Sequence, residues 1–171
     1  MNKQEFITKY SITDAAVTDP VCRLIHARAF GEALAEFVNE GFRGVAEVDC
    51  EIDSDKSLLV SAEYTAMFFK RLLCAVYGRK YLRIVIRERS DRIAISITSD
   101  GELPISRQDE NTLTKIARNA GMQMEDIDGR MTLSVVYSDS EEYSVYATDA
   151  LVGKRIMLAK LCEIFFVNTG A

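Results

Sequence analysis

Between Tyr81 and Thr98 the apolar residues recur at every second position, and few architectures satisfy that pattern. Leu82, Ile84 and Ile86 form one series, and after Arg89-Ser90-Asp91 it resumes as Ile93, Ile95 and Ile97. A period of two puts each trio on one face of a strand. The short polar connection makes Tyr81–Glu88 and Arg92–Thr98 an antiparallel hairpin. An isolated hairpin is marginal in water, so other parts of the chain must cover the isoleucine face. The best candidate is the preceding segment 62–77, where Ala62, Thr65, Phe69, Leu72, Leu73 and Val76 recur at helical spacing behind a capping residue, Ser61.

The remaining elements follow from the same signals. Thr18-Asp19-Pro20 reads as a helix start, and Leu24, Ala27, Gly31, Leu34 and Val38 form one stripe, predicting an N-terminal helix over 18–42. Ala27 and Gly31 leave room for another element to approach that stripe closely. Ala46, Val48, Cys50 and Ile52 alternate with four acids, and Asp53-Ser54-Asp55-Lys56 is expected to reverse the chain into a short strand, Ser57–Val60. Beyond Ser99-Asp100-Gly101 an irregular stretch is expected to about Glu110, then a helix over Asn111–Ala120. Asp128-Gly129 leads into a strand carrying Met131, Leu133 and Val135. A polar turn, 138–141, returns into Tyr143–Thr148, and 150–167 reads as a C-terminal helix. Hairpins separated by helices predict one domain, 1–171, of α+β class: a two-layer sandwich in which a mixed, mainly antiparallel sheet is covered by helices, with extra helices at both ends.

Charge and composition exclude several functions. The 26 acids outnumber the 21 bases, so no broad basic surface exists to neutralise a nucleic acid backbone. No apolar run approaches the roughly 20 residues that span a bilayer, and MNKQEFITKYS has no signal-peptide pattern. The expected setting is the cytoplasm, away from membranes. Four separated cysteines and a single histidine, His26, argue against a zinc site and for reduced, buried thiols. The segment 70–92 is locally basic, with Arg83, Arg87, Arg89 and Arg92; it reads either as a solvated outer sheet face balanced by Glu88 and Asp91, alternation accounting for Arg83 and Arg87, or as a surface for an anionic ligand or an acidic partner.

Residues 45–148 resemble the ATP-binding catalytic domain of histidine kinases, the GHKL or Bergerat-type ATPase fold. The helix 61–76 (SAEYTAMFFKRLLCAV) corresponds to the family's L-x-N-L-L-x-N-A helix. Residues 83–104 (RIVIRERSDRIAISITSDGELP) are similar to its two strands running into D-x-G-x-G-I-P, and 128–136 (DGRMTLSVV) to a late strand entry. The resemblance implies an adenine-binding carboxylate at the strand end, a magnesium-ligating asparagine on the helix and a glycine-rich lid over the phosphates. This sequence departs from all three. Arg71 and Ala75 stand at the asparagine positions, Ser99 stands where the carboxylate belongs, Leu103 replaces the second glycine, and no glycine lies between Gly101 and Gly121.

The resulting expectation is a non-catalytic signalling module that neither hydrolyses ATP nor phosphorylates histidine. No cofactor and no metal are expected. Its partner is expected to be another protein, or a second copy joined through the terminal helices, whose stripes (Leu24–Val38, and Met157 to Phe165) lie outside the resembling core. The alternative is a nucleotide-binding protein with altered motifs, taking ATP or ADP weakly through Asp100 and Gly101. An enzyme of unrelated chemistry in the same sandwich would need a nucleophile–base pair, and no local pattern supplies one. His26, followed by Ala27 rather than an acid, reads as structural rather than as a phosphate acceptor.

Overall fold

The computed structural model describes residues 22–138, apart from 55, 79, 128 and 129. Its elements are β1 (Arg23–His26), α1 (Ala27–Gly41), β2 (Ala46–Glu51), β3 (Ser57–Val60), α2 (Ala62–Val76), β4 (Leu82–Glu88), β5 (Arg92–Thr98), α3 (Arg107–Ala120), β6 (Gln123–Ile127) and β7 (Arg130–Val136). Five strands form one sheet in the order β2-β4-β5-β7-β6, parallel between β2 and β4 and antiparallel elsewhere. A second, two-stranded sheet pairs β1 with β3, and a bridge between Leu58 and Tyr137 joins it to the end of β7. The α+β sandwich with a mainly antiparallel sheet is therefore the architecture of the described residues.

The isoleucine hairpin forms in the expected register. Ile84 lies opposite Ile97 and Ile86 opposite Ile95, and β7 adds Met131, Leu133 and Val135 to the same face. These side chains share one buried cluster with Phe69, Leu72, Leu73 and Val76 of α2, all inaccessible to solvent. Ser61 caps α2 as its sequence suggests, its hydroxyl accepting from the Tyr64 N–H at 3.2 Å.

Four local expectations are corrected. The N-terminal helix begins at Ala27 rather than at 18, because Arg23–His26 runs extended and pairs with β3, from Arg23 opposite Val60 to His26 opposite Ser57. Ladder hydrogen bonds to a distant strand outweigh a helical spacing that includes Leu24. For the same reason β3 does not fold back on β2; the turn after β2 carries the chain into the second sheet. The third helix starts at Arg107, since Ser106 accepts from the Asp109 N–H at 3.1 Å and caps it four residues before the expected start. Finally, a strand that was not expected, β6, pairs with β7; the expected strand 143–148 and the C-terminal helix 150–167 lie outside the described residues.

The small-residue stripe on α1 does admit a close neighbour. Gly31 is buried so tightly that a β-carbon there would stand 2.6 Å from Cys50 Sγ and 2.8 Å from Ile52 Cδ1. The element that approaches is this chain's own β2.

Because β2 is an edge strand, its free backbone groups would be open to pairing with another chain. Asn39 of α1 closes that edge: its Oδ1 accepts from the Val48 N–H at 2.8 Å and its Nδ2 donates to the Val48 carbonyl at 3.0 Å. At Val48 one side-chain amide thus takes the place of a neighbouring strand's backbone. Asn39→Ala is expected to cost about 1–3 kcal/mol, since both backbone groups lose their partners in a part-buried setting. The urea midpoint checks this, and an unchanged midpoint would mean that water replaces the amide without loss.

Candidate functional site

The sequence-derived site residues sit together in a turn at the end of β5. Ser99 and Gly101 pair as a bridge, and the Ser99 hydroxyl donates to the Gly101 carbonyl at 3.3 Å. Gly101 adopts φ +85°, a conformation that glycine takes without strain. Lys80 closes the turn from outside, its Nζ donating to the Asp100 carbonyl at 2.5 Å. A β-carbon at Gly101 would have that ammonium as its nearest neighbour, 3.8 Å away. The glycine is needed for its dihedral angle. Asp100 is exposed, and what it offers Lys80 is its backbone oxygen.

On α2, Arg71 and Ala75 occupy the positions where the resembling family carries asparagines, and both are half-buried; the neighbouring Lys70 is 3% exposed. Among the described residues no group of three or more His, Cys, Asp or Glu side chains is placed to hold a metal ion. Of the described cysteines, Cys22 and Cys50 have thiols shifted upward, mainly by burial. Burial, with help from Glu32, Asp49 and Glu51, pushes the Cys50 thiol up to about 11. Cys22 is exposed rather than buried, and Cys50 and Cys74 are half-buried, which corrects the expectation of fully interior thiols. A thiol held above its ordinary range is a poor nucleophile at neutral pH.

The stretch between Gly101 and Gly121 is packed onto the body of the protein. Leu103 and Ile105 are half-buried against the core, and the Ile105 N–H bonds back to the Leu103 carbonyl at 2.8 Å. α3 then lies against α2 and buries Leu113, Ile116, Ala117 and Ala120. Its last turn is tied down as well, the Ala120 carbonyl accepting from the Ser61 N–H at 3.0 Å.

The other face of the sheet carries a concavity of about 500 Å³, lined in part by Arg89 and Arg92 of the basic segment 70–92. Its floor consists of Ala94 and Ser96 on β5 facing Ser134 and Thr132 on β7, two directly opposed pairs of small residues. Arg89 and Arg92 stand at one end, Arg130 at the other, and Glu125 of β6 beside them. Alternation alone puts these side chains on the outer face, but the hollow depends on how β5 and β7 align across the intervening chain.

The basic segment 70–92 divides by environment. Arg87 is engaged by the acidic strand, 2.8 Å from Asp49 and 3.4 Å from Glu51. Arg92 makes a two-pronged pair with Asp91 at 3.0 and 2.9 Å, which holds the Asp91 carboxyl below its usual range. Such exposed pairs contribute little to stability, but they orient the guanidinium groups. Arg89 is exposed at the hairpin tip, its N–H bonded to the Arg92 carbonyl at 2.7 Å.

In sequence the chain matches no family model and no curated protein. Solved structures similar to it include the cytoplasmic segment of histidine kinase QseC, at 11% identity and a TM-score of 0.44, covering 80% of this chain and 89% of that one. Acinetobacter baumannii histidine kinase AdeS has 13% identity and a TM-score of 0.39 over 79% and 76%. The catalytic domain of histidine kinase ThkA has 12% identity and a TM-score of 0.43 over 68% and 95%. All three are histidine kinases or segments of them.

Proposed function

We propose that this chain is a non-catalytic regulatory module that acts by binding another protein. One observation carries the reading: the stretch after the strand-end turn, where the resembling family would keep a nucleotide cleft and its lid, has Leu103 and Ile105 against the core and α3 packed on α2. A phosphate lid works through flexible backbone whose N–H groups can converge on the ligand. Here the stretch has no glycine between its two ends, and its apolar side chains favour burial. The half-buried Arg71 and Ala75 add no oxygen ligand for magnesium, a cation that takes oxygen donors.

The alternative, weak binding of ATP or ADP at Asp100 and Gly101, draws support from Lys80, whose ammonium could meet a phosphate beside the turn. Both readings predict no turnover. Incubation with Mg²⁺ and ATP labelled at the γ-phosphate tests this, with neither released phosphate nor labelled protein expected. Release that rises with protein concentration, or label retained on His26, would overturn the non-catalytic reading.

A further inference from the structure

We propose that the concavity on the outer sheet face is a docking trough for an acidic, extended segment of a partner protein. The inference rests on the preceding section only for the premise that the chain works by contact with another protein.

The shape comes from side-chain size. Along the two central strands the outer face carries Ala94, Ser96, Thr132 and Ser134, while arginines rise at both ends, so a hollow runs along the strand direction. Its lining is exposed or half-buried, and the helices' buried residues belong to the cluster on the opposite face. Three of the four floor residues carry hydroxyls, which both donate and accept and so suit a main chain lying over them.

Charge decides the kind of partner. Three guanidinium groups line a hollow against two carboxylates, Glu125 in the lining and Asp91 paired with Arg92, so the hollow stays net positive in a chain of net charge -5. Guanidinium forks match carboxylates in a two-pronged geometry, and an orienting acid such as Asp91 leaves part of the Arg92 fork facing outward. The spacing then favours a polypeptide over a small anion. Arg130 lies one residue beyond the Ile97–Met131 pair, so it sits about six residues along the strand from Arg92, roughly 20 Å at ~3.4 Å per residue. A single small anion meets only one end, whereas an extended acidic segment of similar length meets both. Nucleic acid is disfavoured because Glu47, Asp49 and Glu51 occupy the same face on β2 and would repel a continuing phosphate backbone.

The test is a nitrogen-15 NMR titration of the full chain with hexaglutamate as the probe. Amide shifts centred on Ala94, Ser96, Thr132 and Ser134 are expected. In Arg89→Glu/Arg130→Glu the apparent affinity should fall at least tenfold, while Lys115→Glu/Arg118→Glu, on α3 at the opposite side of the sheet, should leave it within about twofold. Both double variants change exposed residues, and a dispersed spectrum verifies that each is folded. Shifts centred elsewhere, equal loss in both variants, or no shift at millimolar peptide would overturn the proposal. So would identical shifts from citrate or from a DNA duplex at matched concentration. Phosphate release in the labelled-ATP experiment would overturn the non-catalytic reading and leave this titration standing, and a silent titration without phosphate release would do the reverse.

Discussion

Ile95→Ala is expected to destabilise the protein by about 2–5 kcal/mol, the range for truncating a large aliphatic side chain in a packed core. Ile95 sits mid-way along β5, the central strand of the five-stranded sheet, opposite Ile86 on one side and Leu133 on the other, and all three are inaccessible to solvent. Neighbours held in a sheet cannot collapse into the space, so the cavity term adds to the lost burial. Urea unfolding should show a lower midpoint at unchanged slope. The adjacent residue supplies the control: Ser96→Ala changes the outer face and should stay within about 0.5 kcal/mol. Equal losses at 95 and 96 would mean that the strand register is wrong by one residue.

Gly121→Ala is expected to cost roughly 2–5 kcal/mol, from two terms that act together. Gly121 caps α3 at φ +89°, where an L side chain is strained by about 1–2 kcal/mol. A β-carbon there would also stand 2.6 Å from the Leu59 carbonyl oxygen, a backbone atom of β3 that cannot rotate away. Overpacking of that kind adds about 1–3 kcal/mol. The comparison is Gly44, which has φ +83° with nothing within 4 Å of a built β-carbon. Gly44→Ala should cost only the dihedral term, about 1–2 kcal/mol. Thermal unfolding of both variants separates the steric term from the dihedral one, and equal midpoints would remove the Leu59 contact from the explanation.

The central sheet was legible because its signal is repeated. In β4, β5 and β7 burial of one face imposes strict alternation over seven residues each, and the burial follows it from Leu82 to Val135. The parts that sequence reasoning misplaced are short or depend on distant partners. Four residues of β1 contain too little alternation to outweigh the helical spacing of Leu24 with Ala27, and only β3 makes them a strand. β6 was missed although Met124 lies between the polar Gln123 and Glu125 and Asp128-Gly129, a favoured hairpin pair, follows. Ser106 with Asp109 three residues on was a readable capping signal for α3.

The candidate sites divide the same way. The position of Asp100 and Gly101 in a strand-end turn could be read locally, since Asp-Gly favours turns. Lys80 closing that turn could not, because it reaches across from the start of β4. Nor could the outer trough, whose floor is made by residues nearly forty positions apart that only the β5–β7 register brings opposite each other.

The measurement that bears most directly on the non-catalytic reading is calorimetric titration of the full chain with ATP, with and without Mg²⁺. No saturable, magnesium-dependent heat is expected at micromolar ATP. Each missing charge-assisted hydrogen bond weakens affinity by about tenfold or more, and the helix positions expected to supply a metal ligand hold Arg71 and Ala75. Metal-independent binding that Asp100→Ala abolishes would favour the nucleotide-binding alternative, and micromolar binding that requires magnesium would contradict the non-catalytic reading outright.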